Sequence, residues 1–297
     1  MADLVLATAP NMHAIVHEID ATNAMRALLG GAEIAKRAGF RALEIELPHL
    51  EPFFDQLGDG FWDDALGNLR EMDMQISSAH GPIYPSLEID LKTANKLLAR
   101  YANAVTRLGI KAMAIHPTHH THPHVCTIMP KLLERDIAVS TTTAEALSDG
   151  PCLLAIENLP TYSIRYLELL IRKLEGIDNI GITFDTGHWN IRPEMPLDEI
   201  FASFNNRIAH IHLTDNNGLC DQHLGPGMGN FPWQKLVELV PADQLTRPLM
   251  IELNSALLMT DPNAAETQFK LQKEAFNSAS KILTPLINKR LESIHAN

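Results

Sequence analysis

Five side chains able to ligate a divalent metal fall within about forty residues of one another: Asp185 and His188 in FDTGH, His212 in HIHLTD, and Asp221 and His223 in CDQH. Aspartate offers oxygen and histidine nitrogen, the donors that divalent zinc, manganese and iron accept. Each stands just past an apolar, strand-like run. That concentration points to a metal-centred active site.

The elements that must position these residues repeat along the chain. Apolar runs of strand length alternate with segments of helical period. The runs are 4–8, 41–47, 75–80, 112–116, 152–157, 180–185, 208–213 and 249–253. Helices are expected near 21–38, 62–72, 87–108, 128–148, 164–174, 197–204, 233–239 and 264–288. Eight strand–helix pairs predict an α/β fold of the (β/α)8, or TIM barrel, type. The absence of a glycine fingerprint counts against an open doubly wound sheet. No linker or shift in charge divides the chain, so one domain spanning 1–297 is expected, with 291–297 fraying at the end.

In such a barrel, chemistry sits at the C-terminal ends of the strands. The third run ends in His80, the fourth in His116, the fifth in Glu157, the sixth in Asp185, the seventh in His212 and the eighth reaches Glu252. Glu157 and Glu252 follow strongly apolar runs with no Lys or Arg beside them. A carboxylate at the edge of a core needs a cation or hydrogen-bond donors, and a metal would serve both. His80 and His116 taken singly read as structural histidines, but their matching strand-end positions favour ligation. His210 and His212 share a face; His212 is nearer the rim, and His210 is expected one layer deeper as a supporting donor. Glu44 and Glu46 share a face too, with Glu46 able to reach the pocket and a solvated or supporting role competing.

Other features carry less chemistry. Arg192 is the one cation close to these residues, a candidate clamp for a phosphate or carboxylate, with a surface salt bridge as the competing reading. Trp189 and Trp233 are candidate pocket walls; Trp233 could equally open its helix in the core. The tract His119, His120, His122 and His124 contains Pro123 and no apolar frame, and reads as a loop near the mouth. GPGMGN at 225–230 lacks the Lys-Ser/Thr ending of a phosphate loop and reads as a turn after His223.

The chain has 297 residues, 45% of them hydrophobic, and a net charge of −12. The acidic balance disfavours passive adhesion to nucleic acid or an anionic membrane. It leaves a nuclease open, because bound metals bring their own positive charge. Three scattered cysteines (Cys126, Cys152, Cys220) make no disulfide framework. With no basic-then-apolar opening and no apolar run of membrane length, a cytoplasmic protein is expected, compatible with a homo-oligomer.

From about Gly39 to Leu253 the chain resembles the xylose isomerase-like TIM barrels, which include sugar-phosphate isomerases and epimerases and the endonuclease IV group. The resemblance rests on GFRALEIEL, AHGP, IHP, AIENLP, FDTGH, HIHLTD, DQHLGPGMGNFPW and MIEL. The isomerase branch implies one divalent metal on Glu157, Asp185, His212 and Glu252, with the two glutamates moving protons and His188 contacting the sugar. The endonuclease IV branch implies three metals on nine ligands, matched here by His80, His116, Glu157, Asp185, His188, His212, Asp221, His223 and Glu252. There are departures on both sides. Ketose epimerases carry a Glu six residues past the strand-five ligand and an Arg six past the strand-seven ligand; Ser163 and Gly218 stand there. Endonuclease IV follows its strand-four His-Pro with Gly-Ser-His; this chain reads HPTHHTHPH, although Tyr84 resembles the repair enzymes.

The expected activity is therefore a metal-dependent sugar or sugar-phosphate isomerase or epimerase, using one to three zinc or manganese ions, acting by proton transfer through an enediolate. Glu157, Glu252 and His188 are the expected catalytic residues, and His188, Arg192, Trp189 and Glu46 the substrate contacts. A trinuclear phosphoesterase of the endonuclease IV type is the alternative. The acidic chain and the lack of a basic face for a duplex favour the isomerase.

Overall fold

The computed structural model describes residues 4–82, 89–118, 125–253 and 261–295. The His119–His124 tract and Tyr84 lie outside the described residues. Eight parallel strands close into a barrel in sequence order: β1 (Leu6–Thr8), β2 (Ala42–Glu46), β3 (Gln75–His80), β4 (Ala112–Ile115), β5 (Leu153–Glu157), β6 (Ile180–Asp185), β7 (Ile208–His212) and β8 (Leu249–Ile251). All eight fall within the apolar runs, as expected of strands covered by helices.

Around them lie α1 (Ala24–Ala38), α2 (Phe54–Glu71), α3 (Leu91–Leu108), α4 (Val125–Ala146), α5 (Ile164–Lys173), α6 (Thr186–Ile191), α7 (Leu197–Phe204), α8 (Trp233–Leu239), α9 (Ala242–Leu245) and α10 (Ala264–His295). Local chemistry sets several boundaries. Asp90 caps α3 by accepting from the Thr93 N–H at 3.0 Å, and Ser163 caps α5 from the Arg165 N–H at 3.2 Å. Gly109 ends α3 with φ 65°, its N–H bonded to the Val105 and Thr106 carbonyls.

Three differences from expectation have physical causes. α2 begins at Phe54, because Gly58 (φ 64°) lets the chain kink while a buried Phe54 still packs on Trp62. α10 does not fray at Leu291 but continues to His295, with Leu283, Ile287 and Leu291 buried along one face. The unexpected α6 and α9 are too short to show a helical period.

The main core lies between barrel and helices; Leu43, Ile45, Leu154, Ile156, Ile182 and Phe184 contribute from the strands. Inside the barrel many of the residues are small or polar. Ala7, Ala42 and Met250 form a separate buried cluster, while Glu44, His210 and Thr183 are buried too. Strand register aligns the rim: Glu46 pairs with His80 and Asp185 with His212. No described helix is long and apolar enough to cross a membrane.

Candidate metal centre

The nine candidate ligands converge at the C-terminal mouth in three donor groups. Glu157, Asp185, His212 and Glu252 form one, His80, His116 and Glu157 the second, and His188, Asp221 and His223 the third. Within each group the donor atoms lie within 4.8 Å of one another, and Glu157 belongs to two groups. Glu157 Oε1 lies 3.3 Å from both His212 Nδ1 and His188 Nδ1, while Oε2 lies 3.4 Å from His80 Nε2 and 3.2 Å from His116 Nε2. Glu252 Oε2 approaches His212 Nδ1 at 2.8 Å. Asp221 Oδ2 sits between His188 Nε2 at 3.2 Å and His223 Nε2 at 2.9 Å.

The backbone selects which nitrogen each imidazole presents. A carbonyl can only accept, so the 3.0 Å contact of His80 Nδ1 with Gly81 O places the proton on Nδ1 and aims Nε2 at Glu157. His188 Nδ1 likewise donates to Asn158 O at 2.9 Å, leaving Nε2 toward Asp221. Asp185 is both donor and helix cap: its Oδ1 accepts the His188 N–H at 2.6 Å and the Thr214 hydroxyl at 2.9 Å. This cap starts α6 and fixes His188 beside Asp185.

Asn158 and Thr214 were not singled out from sequence. The Asn158 side chain pairs with the Asp185 backbone, accepting from its N–H at 2.7 Å and donating to its carbonyl at 3.0 Å. The signal was present in AIENLP, since an amide next to a buried ligand can tie two strand ends together. His210 lies deeper than His212, as expected, 2.8 Å from Glu44 Oε2, while Glu44 Oε1 lies 3.2 Å from His212 Nε2. Glu44 is thus wholly buried between two imidazoles, not solvated.

Electrostatics bind these groups into one unit. Burial opposes ionisation of Glu157, but His212 and His116 hold its carboxyl well below the usual range. Burial likewise works against Glu252, which His212 and His223 bring down to about 2. Burial would lower the imidazoles, yet Glu157 raises His80 to about 9 and Asp221 raises His223 to about 9. Buried Glu157 Oε2 has no hydrogen-bond partner of proper geometry. Such an orphaned oxygen between two imidazoles is costly, and a cation would satisfy it. The donor set therefore fits a resident divalent metal.

The loop after β7 delivers Asp221 and His223. Its ends are joined by an antiparallel bridge between Asp215 and Leu224. His223 takes φ 46°, a left-handed conformation costing a non-glycine residue roughly 1–2 kcal/mol. The loop must over-determine this geometry. Gly225–Asn230 does turn the chain here, with Gly227 (φ 85°) giving its N–H to Asp215 Oδ2 at 2.9 Å.

A cavity of about 270 Å³ opens over the donor groups, bordered by Glu46, His49, Thr161 and Tyr162 besides the ligands. Two expected substrate contacts, Trp189 and Arg192, are not among the residues that border it, although Arg192 Nη1 reaches the carbonyl of the bordering Pro160 at 3.5 Å. Trp189 packs edge-on against Phe231 and donates to Met195 O at 2.8 Å, because α6 turns it into the core. Arg192 is half-exposed and engaged by Glu194 at 2.5 Å, the surface salt bridge of the competing reading. Trp233 is buried at the start of α8, its Nε1 bonded to Asp215 Oδ2 at 2.9 Å.

The family model for the xylose isomerase-like TIM barrel matches residues 32–275. An uncharacterized protein of Methanocaldococcus jannaschii is 30% identical over 115 residues, 36% of this chain and 39% of that one. One of Sinorhizobium fredii is 28% identical over 102 residues, 33% of this chain and 32% of that one. The matches thus span well under half the length of these curated relatives. Among solved structures, a D-tagatose 3-epimerase-like protein superposes with a TM-score of 0.65 at 18% identity, over 94% of this chain and 100% of that one. D-Allulose 3-epimerase from Methylomonas sp., solved with D-allulose, gives 0.69 at 16% identity over 94% and 97%. At these identities the likeness establishes the fold.

Proposed function

The chain belongs to the xylose isomerase-like TIM barrel family, and from that premise we propose that it is a metal-dependent isomerase or epimerase acting on a sugar-like substrate. One observation carries this reading. Glu157 and Glu252 bracket His212, at 3.3 and 2.8 Å from its Nδ1, beneath a cavity of about 270 Å³. That volume is just under the ~300–1,000 Å³ of drug-sized sites and suits a monosaccharide.

Glu157, Asp185, His212 and Glu252 would hold one divalent ion, zinc or manganese. When bound, such an ion supplies Lewis-acid polarisation of a carbonyl, or charge stabilisation of phosphoryl oxygens. The remaining work falls to the side chains. Glu157 and Glu252 are both held in the ionised form, so one can remove the carbon-bound proton beside the carbonyl, and the other can return one after taking it up from solvent water. His188, fixed by Asn158 O, faces the cavity and can contact a substrate hydroxyl.

A second reading, hydrolysis of a phosphoester, is favoured by a separate observation: the groups His80–His116–Glu157 and His188–Asp221–His223 are also complete. An isomerase with one ion does not need both. The deciding experiment incubates the metal-replete protein with ketoses and aldoses in heavy water and counts metal per chain. We expect deuterium at the carbon beside the carbonyl, abolished in Glu252→Gln with the fold intact. No exchange across the panel, together with nicking of an abasic duplex and three metals per chain, would replace this reading by the second.

A further inference from the structure

One wall of the cavity contributes no residue to the donor groups. Glu46 ends β2, and His49 follows one short turn later; both border the cavity next to His80. His49 Nε2 lies 3.7 Å from Glu46 Oε1, too long for a formed hydrogen bond, so the carboxylate retains capacity to accept others.

The proton placement here follows from a chain of contacts. His13 Nδ1 meets the His17 carbonyl at 3.3 Å and must donate to it. His13 Nε2 is then the acceptor for His49 Nδ1, 3.3 Å away. Burial favours the neutral His49 ring, but Glu46 outweighs it and shifts the ring toward its charged form. In that form Nε2–H points at Glu46. The wall therefore offers one acceptor and one donor, with opposing charges. A hydroxyl, which both donates and accepts, matches such a pair.

The same wall is unsuited to a phosphate ester. The described cavity lining contains no Lys or Arg. The segments outside the described residues that follow β3, β4 and β8 (83–88, 119–124 and 254–260) contain none either. Arg192, the nearest candidate in sequence, is held by Glu194. A dianion on the part of the substrate remote from the donor groups would face Glu46, whose charge the His49 ring does no more than balance, with no Lys or Arg among the described lining residues to attract it.

We propose that Glu46 and His49 recognise hydroxyls on the carbons of the substrate not held by the donor groups, and that the substrate is an uncharged polyhydroxy compound and not its phosphate ester. The word substrate rests on the isomerase reading; the binding site itself does not.

The test uses an alditol, which has no carbonyl and cannot turn over. Ribitol, ribitol 5-phosphate and inorganic phosphate are titrated calorimetrically into the metal-loaded full chain and into Glu46→Gln and His49→Phe. Inorganic phosphate reports binding at the donor groups alone. Ribitol should bind, and either variant should weaken it roughly tenfold, the loss of one hydrogen bond to a charged group. Inorganic phosphate should bind all three proteins alike, which also shows that the mouth is intact. Ribitol 5-phosphate should bind no more tightly than the better of the other two probes. Failure of ribitol to bind, unchanged ribitol affinity in both variants, or a clear gain from the phosphate ester would each overturn the proposal. Ribitol binding that depends on Glu46, in a protein that exchanges no sugar proton, would sink the isomerase reading and leave this site standing.

Discussion

Glu44 shows how a single side chain can act on the centre without touching substrate. It is fully buried, with one carboxylate oxygen 2.8 Å from His210 and the other 3.2 Å from His212. A carboxylate on the far nitrogen of a metal-binding histidine fixes its tautomer, so that His212 Nδ1 would turn its lone pair toward an ion held among Glu157, Asp185 and Glu252. Gln at position 44 keeps the shape but offers one acceptor and one misplaced donor. Glu44→Gln should weaken metal binding about 10–100-fold while the barrel stays folded, measured by competition with a chelator. Unchanged affinity would show that His212 is oriented by packing alone. Sequence period revealed that Glu44 and Glu46 share a face; it could not reveal that Glu44 reaches across the barrel to His210, because that contact joins residues 166 positions apart. The strand-end rule places His80, His116, Glu157, Asp185, His212 and Glu252 around one mouth, whereas His188 comes from α6 and Asp221 and His223 from the loop after β7. Trp189, expected as an aromatic pocket wall, packs instead on Phe231 because the short α6 turns it toward the core.

At the scale of elements, the loop from Asp215 to Trp233 is the part most exposed to disruption. Buried Asp215 gathers four donors: the Asn216 and Phe231 N–H groups at 2.9 and 3.1 Å on Oδ1, and the Gly227 N–H and Trp233 Nε1 at 2.9 Å each on Oδ2. Two carboxylate oxygens with two acceptor sites each take up all four. A Cβ on Gly229 would overlap Asp215 Oδ1 and the Asn216 carbonyl, so glycine is required there for close approach. Asp215→Asn turns an amide N–H₂ toward two donors. It should cost about 2–3 kcal/mol of stability, the range for bonds to a charged group, read by urea unfolding. Any ion held by His188, Asp221 and His223 should be lost before one held by the other donor groups. Equal loss from all groups would mean that this loop is no separate unit. The glycine-rich run is legible in sequence as a turn, but its anchor is not, because Asp215 closes HIHLTD like any polar residue after a strand. The eight strands were legible because the outward face of each, packed under the helices, is apolar even where the inward face carries Glu44, Ser78 or His210.

For the whole molecule, the mouth couples metal, protons and stability. Without metal, the carboxylates around Glu157 are balanced by protons on the histidines. His80 and His223 are each raised to about 9 from an ordinary 6.5, against the pull of burial. A group whose folded pKa is raised stabilises the fold below its unfolded value, and that contribution disappears as pH rises through the folded value. The metal-free protein should therefore lose stability between about pH 6.5 and 9. Glu252, lowered to about 2, has the opposite sign and matters only as pH falls from about 4.5 toward 2. A metal takes the place of the histidine protons, so its uptake releases them and strengthens as pH rises. The gap in melting temperature between manganese-loaded and chelator-treated protein should widen steadily from pH 6.5 to 9, at fixed free metal. The Glu252 carboxylate, already ionised over that window, cannot produce the trend. A gap independent of pH would mean that the metal enters without displacing these protons, and that the donor groups are held open by the barrel itself.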